Sequence, residues 1–204
     1  MSDRILEHLF DSAIKVKLLK LFVHNPTTIF TVDEIRRRTQ ASGRPMLREL
    51  GKLLTIGFVR IREARASNRH SQGRVAVRRT KAYVTDPSFS LYPEIKNLVT
   101  KPWPASRDHI VGRLKTLGRI KLVLLAGIFI GSETSRADML IVGDQLRERR
   151  LRDFIASLEA EVGKELTCVA LGTKDFQYRY NMFDRFVRDM LDYPHEALIN
   201  KLKV

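Results

Sequence analysis

Residues 31–60 read TVDEIRRRTQASGRPMLRELGKLLTIGFVR, and the predicted fold follows from this stretch. Thr31 and Glu34 have the spacing of a capping box, in which each side chain accepts a hydrogen bond from the other residue's backbone N–H. The pair therefore predicts a short helix that begins at Val32 and ends near Arg38.

A second helix is predicted after a turn at residues 41–43. Ser42 can cap this helix, which ends near Thr55 and is closed by Gly57. Apolar side chains at i, i+3 and i+7 predict its buried stripe, which consists of Leu47, Leu50 and Leu54. Basic side chains at i, i+4 and i+8 share the opposite, outward face, and these are Arg44, Arg48 and Lys52.

The segments on either side extend this pair of helices into a larger pattern. Apolar residues within residues 5–24 predict one long helix that is buried on a wide face. Residues 58–62 alternate as a strand does, and residues 74–78 and 81–84 return as strand after a polar loop. A helix, a helix-turn-helix and a β-hairpin in this order predict a winged helix-turn-helix. Residues 87–101 are predicted to add a connecting helix.

Basic residues are concentrated in the same part of the chain. Residues 31–81 hold fourteen Lys or Arg against four Asp or Glu, and so carry +10 of the formal net charge of +14. Lys and Arg that neutralise phosphates release condensed counterions, so a polyanion is the expected partner of such a surface. In a helix-turn-helix the second helix enters the major groove of duplex DNA. The expected partner is therefore double-stranded DNA.

The residues expected to contact DNA belong to the second helix and to the hairpin. They are, in the helix, Ser42, Arg44, Arg48 and Lys52, and, in the hairpin, Arg62, Arg65, Arg69, Arg74 and Arg78. A basic hairpin of this kind tracks phosphates or reaches a minor groove, where Arg is favoured. The alternative interpretation is that the helix face is merely solvated and that the hairpin cations protect a sheet edge.

The ten residues from Leu50 to Val59, LGKLLTIGFV, carry a family resemblance. They resemble the passage from recognition helix into the first strand of the wing in the winged-helix transcription regulators of bacteria and archaea. The resemblance covers about residues 1–100 and implies a prokaryotic regulator of transcription. Because one winged helix reads few base pairs, it also implies a homodimer on a palindromic site. Winged helices occur in RNA-binding proteins too, so an RNA-binding module is an alternative.

The chain changes character near residues 101–104, Lys-Pro-Trp-Pro, where two prolines forbid a continuous helix. Residues 1–104 carry 20 basic and 9 acidic side chains, a net charge of +11, whereas residues 105–204 carry 17 and 14, a net charge of +3. We therefore expect two domains, one at residues 1–101 and the other at residues 102–204.

The second half alternates strands with helices. Apolar runs predict strands at residues 120–126, 139–142 and 166–171. One helix is expected to be capped by Asp144 and stopped by Gly163, and another to carry an apolar stripe from Phe176 to Met190. This alternation predicts a small α/β layer structure, and the whole chain is predicted to be an α+β protein.

Two stretches of the second half, LLAG at residues 124–127 and SRADMLIVGD at residues 135–144, resemble the core of the minimal nucleotidyltransferases. In that family a Gly-Ser turn approaches the triphosphate, and an Asp-x-Asp pair holds magnesium because Mg²⁺ takes oxygen ligands. By this resemblance Gly127 and Asp138 mark a remnant nucleotide pocket. Ile128 stands where the family has serine, and Arg136 stands where it has the first aspartate.

These departures imply a domain that is catalytically inactive and holds no metal or cofactor. A cation in place of a metal ligand repels Mg²⁺, so two-metal chemistry should fail. Glu165 is the only candidate for a third acidic ligand. The alternatives are an active nucleotidyltransferase that docks its substrate through the N-terminal half, and an unrelated α/β domain. An inactive domain would serve dimerisation, partner binding or ligand sensing.

Composition restricts the remaining possibilities. The single cysteine, Cys168, excludes an intramolecular disulfide, and the five histidines are scattered without the spacing of metal ligands. The N-terminus lacks the pattern of a signal peptide, and the longest apolar run, residues 122–131, is too short to span a membrane. We therefore expect a cytoplasmic protein.

Overall fold

The computed structural model describes part of the chain at two levels of detail. The backbone is described for residues 2–69, 75–100, 107–132 and 134–204, and the side chains for residues 5–64, 79–100, 110–132 and 134–204. Residues 101–104, where the sequence predicts the domain boundary, lie outside the described residues.

The chain forms two compact units. The N-terminal unit comprises residues 4–101 and 159–164, and the C-terminal unit comprises residues 1–3, 102–158 and 165–204. The described residues form helices together with one three-stranded and one four-stranded sheet, so the predicted α+β class is confirmed.

The first part of the chain contains helices, one very short strand and two long strands. Its helices are α1 (Ser2–Phe10), α2 (Ala13–His24), α3 (Val32–Thr39), α4 (Gly43–Thr55) and α5 (Tyr92–Val99). Its strands are β1 (Phe30–Thr31), β2 (Val59–Arg69) and β3 (Val75–Thr85).

The first long helix of the prediction is in fact two helices, α1 and α2. Asp11 lies between them with a φ of 51°, a left-handed backbone conformation that interrupts the helix. Ser12 then caps α2, because its hydroxyl accepts a hydrogen bond from the N–H of Lys15 at 3.2 Å. The prediction of one helix is wrong here, and the Asp-Ser pair was the local signal for a break.

The capping box at the start of α3 is confirmed. The N–H of Thr31 donates to Oε2 of Glu34 at 2.7 Å, and the N–H of Glu34 donates to Oγ1 of Thr31 at 3.3 Å. Gln40, with a φ of 52°, turns the chain after α3. Ser42 occupies the N-cap position of α4, but its side chain makes no capping hydrogen bond.

The buried face of α4 differs from the predicted one. Met46, Leu50 and Leu53 are at most 2% exposed, whereas Leu47 is 49% exposed. Leu54 is only half-buried. Two apolar stripes share Leu50 in this sequence, and both have helical spacing. Packing of α4 against α2 selects the stripe that contains Met46 and Leu53.

A three-stranded antiparallel sheet completes the N-terminal unit, with the strand order β1-β3-β2. Strands β2 and β3 form a long hairpin whose register runs from Val59 opposite Thr85 to Arg69 opposite Val75. Strand β1 is only two residues long and pairs with β3. A strand this short leaves no periodicity in a sequence, which is why the sequence does not predict it.

The core of the N-terminal unit joins the helices to the hairpin. Phe22 packs edge-on against Phe30 with ring centroids 6.0 Å apart, and Phe58 packs edge-on against Phe89 at 5.8 Å. The hydroxyl of Thr85 donates a buried hydrogen bond of 2.7 Å to the carbonyl of Phe22. These contacts fix the base of the hairpin against α2.

The C-terminal unit is built around the four-stranded sheet. Its helices are α6 (Arg107–Leu114), α7 (Glu148–Val162), α8 (Thr173–Asn181) and α9 (Arg185–Asp192), of which α7 runs on into residues 159–162. Its strands are β4 (Arg119–Leu125), β5 (Met139–Asp144), β6 (Cys168–Leu171) and β7 (Glu196–Asn200). The strand order is β6-β5-β4-β7, with β5 parallel to β6 and the other pairs antiparallel. Strands β4, β5 and β6 overlap the three predicted runs, whereas the sequence does not predict β7.

The helix predicted from Phe176 to Met190 is interrupted. Phe183 has a φ of 55° and a side chain that is 72% exposed, so it ends one helix and leaves the apolar stripe. Asp184 then starts α9, because its carboxylate accepts a hydrogen bond from the N–H of Val187 at 3.1 Å.

Asp144 does not cap α7, contrary to the prediction. It ends β5, and α7 begins at Glu148. The carboxylate of Asp144 lies 3.0 Å from Nζ of Lys121 and accepts a hydrogen bond from the N–H of Thr173 at 3.3 Å. These two partners, of which Lys121 has the larger effect, hold the pKa of Asp144 below its ordinary value.

In the described parts of the chain, no helix is both long and apolar enough to cross a membrane.

Candidate nucleic-acid interface

The outward face of α4 carries an exposed set of residues. Arg44, Arg48 and Lys52 are exposed, as their spacing predicts, and the side chain of Arg48 is 71% exposed. Leu47 and Gly51 are also exposed, and they lie on the same side of the helix because residues at i, i+3, i+4 and i+7 share one face. We call Arg44, Leu47, Arg48 and Gly51 the α4 outer face.

Glu49 connects α4 to α2 at the edge of this face. Its side chain is 3% exposed, and its carboxylate lies 2.8 Å from Nζ of Lys52 and 3.5 Å from Nζ of Lys15. Burial alone would raise the pKa of Glu49, but the hydrogen bond from Lys52 and the charge of Lys15 outweigh it, so the pKa is lowered. Lys52 therefore neutralises Glu49, and its charge is only partly available to an external anion.

Arg44 and Arg48 are more available than Lys52. Arg48 approaches Glu49 only through Nε, at 3.6 Å. Among the described residues, Arg44 makes no ion pair. These two guanidinium groups therefore carry most of the uncompensated positive charge of α4.

Gly51 is not required by the fold. It lies inside a 13-residue helix, where glycine costs about 0.5–1 kcal/mol relative to alanine. No atom lies within 4 Å of the position that its Cβ would take, and its φ is not positive. A partner surface lying against the helix would, however, approach more closely at a residue without a side chain.

The hairpin carries the second group of predicted contacts. Arg62 is exposed on β2, and Arg60, two residues before it, lies 3.9 Å from Asp86. Arg79 on β3 lies 3.6 Å from Glu63 on β2. Each of these two ion pairs is exposed enough for solvent to screen it.

For the outer part of the hairpin, the structure describes the pairing of the two strands but not most of the side chains. Arg65 is opposite Arg79, Ala66 is opposite Arg78, and Arg69 is opposite Val75. One paired position therefore holds two arginines, and like charges at paired positions destabilise a hairpin that has no counterion. The side chains of Arg65, Arg69 and Arg78 lie outside the described residues, as does all of Arg74.

The two residues predicted to mark a remnant nucleotide pocket are in contact in the C-terminal unit. Oδ1 of Asp138 accepts a hydrogen bond from the N–H of Ile128 at 3.0 Å, and its Oδ2 accepts one from the N–H of Thr167 at 2.8 Å. Gly127 has a φ of 52°, and a Cβ at this position would overlap Oδ1 of Asp138. The carboxylate thus connects the turn after β4 to the start of β6. This contact gives both Gly127 and Asp138 a structural role.

Arg136 also has a partner within the unit. It forms an ion pair with Asp189 of α9, which Arg185 approaches as well at 4.0 Å. Glu165, the candidate third acidic ligand, is exposed. In the part of the chain that the structure describes, no group of three or more His, Cys, Asp or Glu is placed to hold a metal ion.

Sequence reasoning missed three residues of the α4 region. It assigned Leu47 to the core, and it gave no role to Gly51 or Glu49. The one available signal was the position of Glu49, a single acid three residues before Lys52 in an otherwise basic helix. The exposure of Leu47 and Gly51 depends on which apolar stripe is buried, and the sequence leaves that choice open.

Comparison of the chain with protein-family models, with curated proteins and with solved structures finds no match in any of the three. Function is therefore inferred from the residues and the geometry of the two units.

Proposed function

We propose that this protein binds double-stranded DNA in a sequence-specific way and regulates transcription. The observation that carries the proposal is the α4 outer face, where Arg44 and Arg48 stand exposed beside Leu47 and Gly51. Arg can hold O6 and N7 of guanine with two hydrogen bonds, and an apolar side chain such as Leu can contact the methyl group of thymine. In this proposal α4 is the recognition helix and enters the major groove.

The N-terminal unit acts, in this proposal, as a winged helix-turn-helix. The order of α2, α3, α4 and the β2–β3 hairpin supports it, as does the short turn between α3 and α4. The wing is the hairpin, whose arginines would follow phosphates or enter a minor groove. The net formal charge of +10 within residues 31–81 supports a polyanionic partner over a neutral one.

We further propose that the C-terminal unit is a nucleotidyltransferase-like domain without catalytic activity that mediates dimerisation. The turn at Gly127 between β4 and β5 and the position of Asp138 just before β5 support the resemblance. Arg136, held by Asp189, supports the loss of metal chemistry, because it puts a cation where the family has a ligand.

Selection from fragmented genomic DNA at two salt concentrations tests the proposed function directly. The full-length protein should enrich one recurrent motif, and the enrichment should persist at the higher salt. Enrichment without a motif that disappears as salt rises would leave only phosphate binding and would contradict sequence specificity. Equal retention on structured RNA would contradict the preference for duplex DNA.

Gly51→Ala is expected to make the N-terminal unit more stable and to weaken its binding to DNA. Alanine should raise the free energy of unfolding of the N-terminal unit by about 0.5–1 kcal/mol, because glycine is unfavourable inside a helix. It should also weaken binding to the selected DNA by about tenfold, because the added methyl group opposes close approach of the groove. Urea unfolding and fluorescence anisotropy give the two quantities.

Gly112→Ala is the matched control for Gly51→Ala. Gly112 is also exposed within a helix, with no atom within 4 Å of the Cβ position. It should gain stability without any loss of DNA affinity. DNA binding of Gly51→Ala that equals or exceeds that of the wild type would show that α4 does not approach DNA at this residue.

The dimer is expected to form through an exposed apolar cluster on α8 and the turn after it. Tyr178, Met182 and Phe183 are 66%, 64% and 72% exposed, and exposed aromatic and Met side chains are enriched at protein interfaces. Wild type should show twice the chain mass by light scattering, and Met182→Glu should shift this equilibrium to the monomer. Gln177→Glu, which adds the same charge at an exposed polar residue of α8, should remain dimeric. A monomeric wild type that binds its site with full affinity would exclude the dimer.

A further inference from the structure

A basic cavity lies in the C-terminal unit. Its volume is about 370 Å³, and its lining includes the cations Lys115, Arg119, Arg147 and Arg150. Arg119 begins β4, whereas Gly127 follows the other end of that strand. The cavity is therefore at the opposite end of β4 from the Gly127–Asp138 contact.

The charges around this cavity are not balanced from within. Its lining contains four cations and no carboxylate. Among the described residues, Lys115, Arg119 and Arg147 make no ion pair, and Arg150 donates a 3.2 Å hydrogen bond to the carbonyl of Thr116. The nearest acidic residues along the chain have other partners, since Asp144 pairs with Lys121 and Glu148 pairs with Arg152. Four like charges around one concave surface repel each other, and a bound anion would relieve that repulsion.

The backbone adds to the positive potential. Helix α7 begins at Glu148, and Arg147 and Arg150, on either side of that start, both line the cavity. The first turn of a helix has backbone N–H groups without helical partners and carries partial positive charge. The turn after β5 is held in place here, because the N–H of Arg147 donates to the carbonyl of Leu117 at 2.9 Å. Gly118 leaves no room for a side chain, since a Cβ would lie 2.8 Å from the carbonyl oxygen of Gln145.

We propose that this cavity binds the oligophosphate part of a small anionic ligand. Arg and Lys are the side chains that bind phosphoryl oxygens, and the planar guanidinium group does so with two parallel hydrogen bonds. A cavity of about 370 Å³ falls in the size range of small-molecule sites. No aromatic side chain is in its lining, so recognition rests on the phosphates and not on stacking with a base. The C-terminal unit thereby gains a ligand-sensing role that does not depend on the remnant nucleotide pocket.

Isothermal titration of the full-length protein with sodium tripolyphosphate tests this proposal. Tripolyphosphate should bind with one-site stoichiometry, and at least tenfold more tightly than inorganic phosphate, because it can contact several cations at once. Arg119→Ala and Arg147→Ala should each weaken this binding by about tenfold or more. All titrations are made at one ionic strength set with sodium chloride.

Arg152→Ala provides the matched control, because Arg152 is an exposed cation of α7 that does not line the cavity. It should leave tripolyphosphate affinity within about twofold of the wild type. Equal losses in Arg147→Ala and Arg152→Ala would overturn the proposal, because they would show a diffuse charge effect. Absence of binding in the wild type would overturn it as well.

Duplex DNA gives the competing outcome. If Arg119→Ala and Arg147→Ala weaken DNA binding while tripolyphosphate binding is unchanged, the cavity belongs to a DNA interface and the proposal is wrong. If tripolyphosphate binds at the cavity and DNA binding is lost only in variants of α4, both this inference and the proposed function stand.

Discussion

Replacing both Arg44 and Arg48 by alanine is expected to lower the affinity for the selected DNA by about 30-fold or more. A bidentate Arg–guanine contact contributes about 1–3 kcal/mol of discrimination, and two such contacts give about 2–6 kcal/mol. Both side chains are exposed on α4, so their removal should leave the core of the N-terminal unit intact. Fluorescence anisotropy with the selected duplex and a scrambled duplex measures the loss and shows whether it is specific.

Lys52→Ala is the control for the double arginine variant. Lys52 lies on the same helix, but its ammonium group is 2.8 Å from the buried carboxylate of Glu49. The Lys52→Ala variant should therefore lose less DNA affinity than the double arginine variant. If Lys52→Ala weakens binding as much as the double variant, general charge and not the α4 outer face accounts for affinity. A loss that is equal on the selected and scrambled duplexes would assign both arginines to phosphates.

Asp138→Ala is expected to destabilise the C-terminal unit by about 2–4 kcal/mol. The carboxylate accepts hydrogen bonds from the N–H groups of Ile128 and Thr167, and hydrogen bonds to charged groups contribute about 1.5–3 kcal/mol each. The amide of Thr167 can reach water after the substitution, which limits the loss. Urea unfolding gives the free energy, and hydrogen exchange of the two amides locates the change.

A double-mutant cycle with Gly127→Ala shows whether this contact is the cause. A methyl group at residue 127 would displace the Asp138 carboxylate, so the single variant should lose nearly the same free energy as Asp138→Ala. In the double variant the overlap is gone, and the two losses should be clearly less than additive. Additive losses would contradict a shared contact.

NTP turnover gives a separate test of the proposed lack of catalytic activity. Turnover by the wild type that disappears in Asp138→Asn would contradict that proposal and favour an active nucleotidyltransferase.

Local chemistry made some parts of this protein predictable. The Thr31–Glu34 capping box depends on two residues three apart, and it forms as predicted at the start of α3. The β2–β3 hairpin follows from alternation on both sides of a polar loop, and its register contains most of the predicted strand residues. The strands are longer than predicted, because β2 continues to Arg69, inside the predicted loop, and β3 is continuous from Val75 to Thr85. The outward position of Arg44, Arg48 and Lys52 follows from helical spacing alone, because a helix with one buried side must expose the other.

Other features were misjudged where two local patterns compete. The breaks at Asp11 and Phe183 interrupt apolar runs that each read as one helix. Apolar periodicity shows which residues can be buried on one side of a helix, but it does not show where the backbone turns. Both turns place a residue in the left-handed region, which few side chains favour. The next residue in each case, Ser12 or Asp184, caps the new helix. The caps were visible in the sequence, but hydrophobic periodicity outweighed them.

Sequence alone was enough to predict the α+β class, the helix pair within residues 31–55 and the concentration of positive charge around it. It could do so because capping, periodicity and charge act between residues that are close in the chain. Tertiary contacts were needed to show that Leu50 is buried with Met46 and Leu53 and that Leu47 is exposed. They were also needed to show that the carboxylate of Asp138 accepts hydrogen bonds from Ile128 and Thr167, and that four cations line one cavity. Each of these outcomes depends on contacts between segments distant in sequence, and their energies are set by packing and burial that local patterns do not specify.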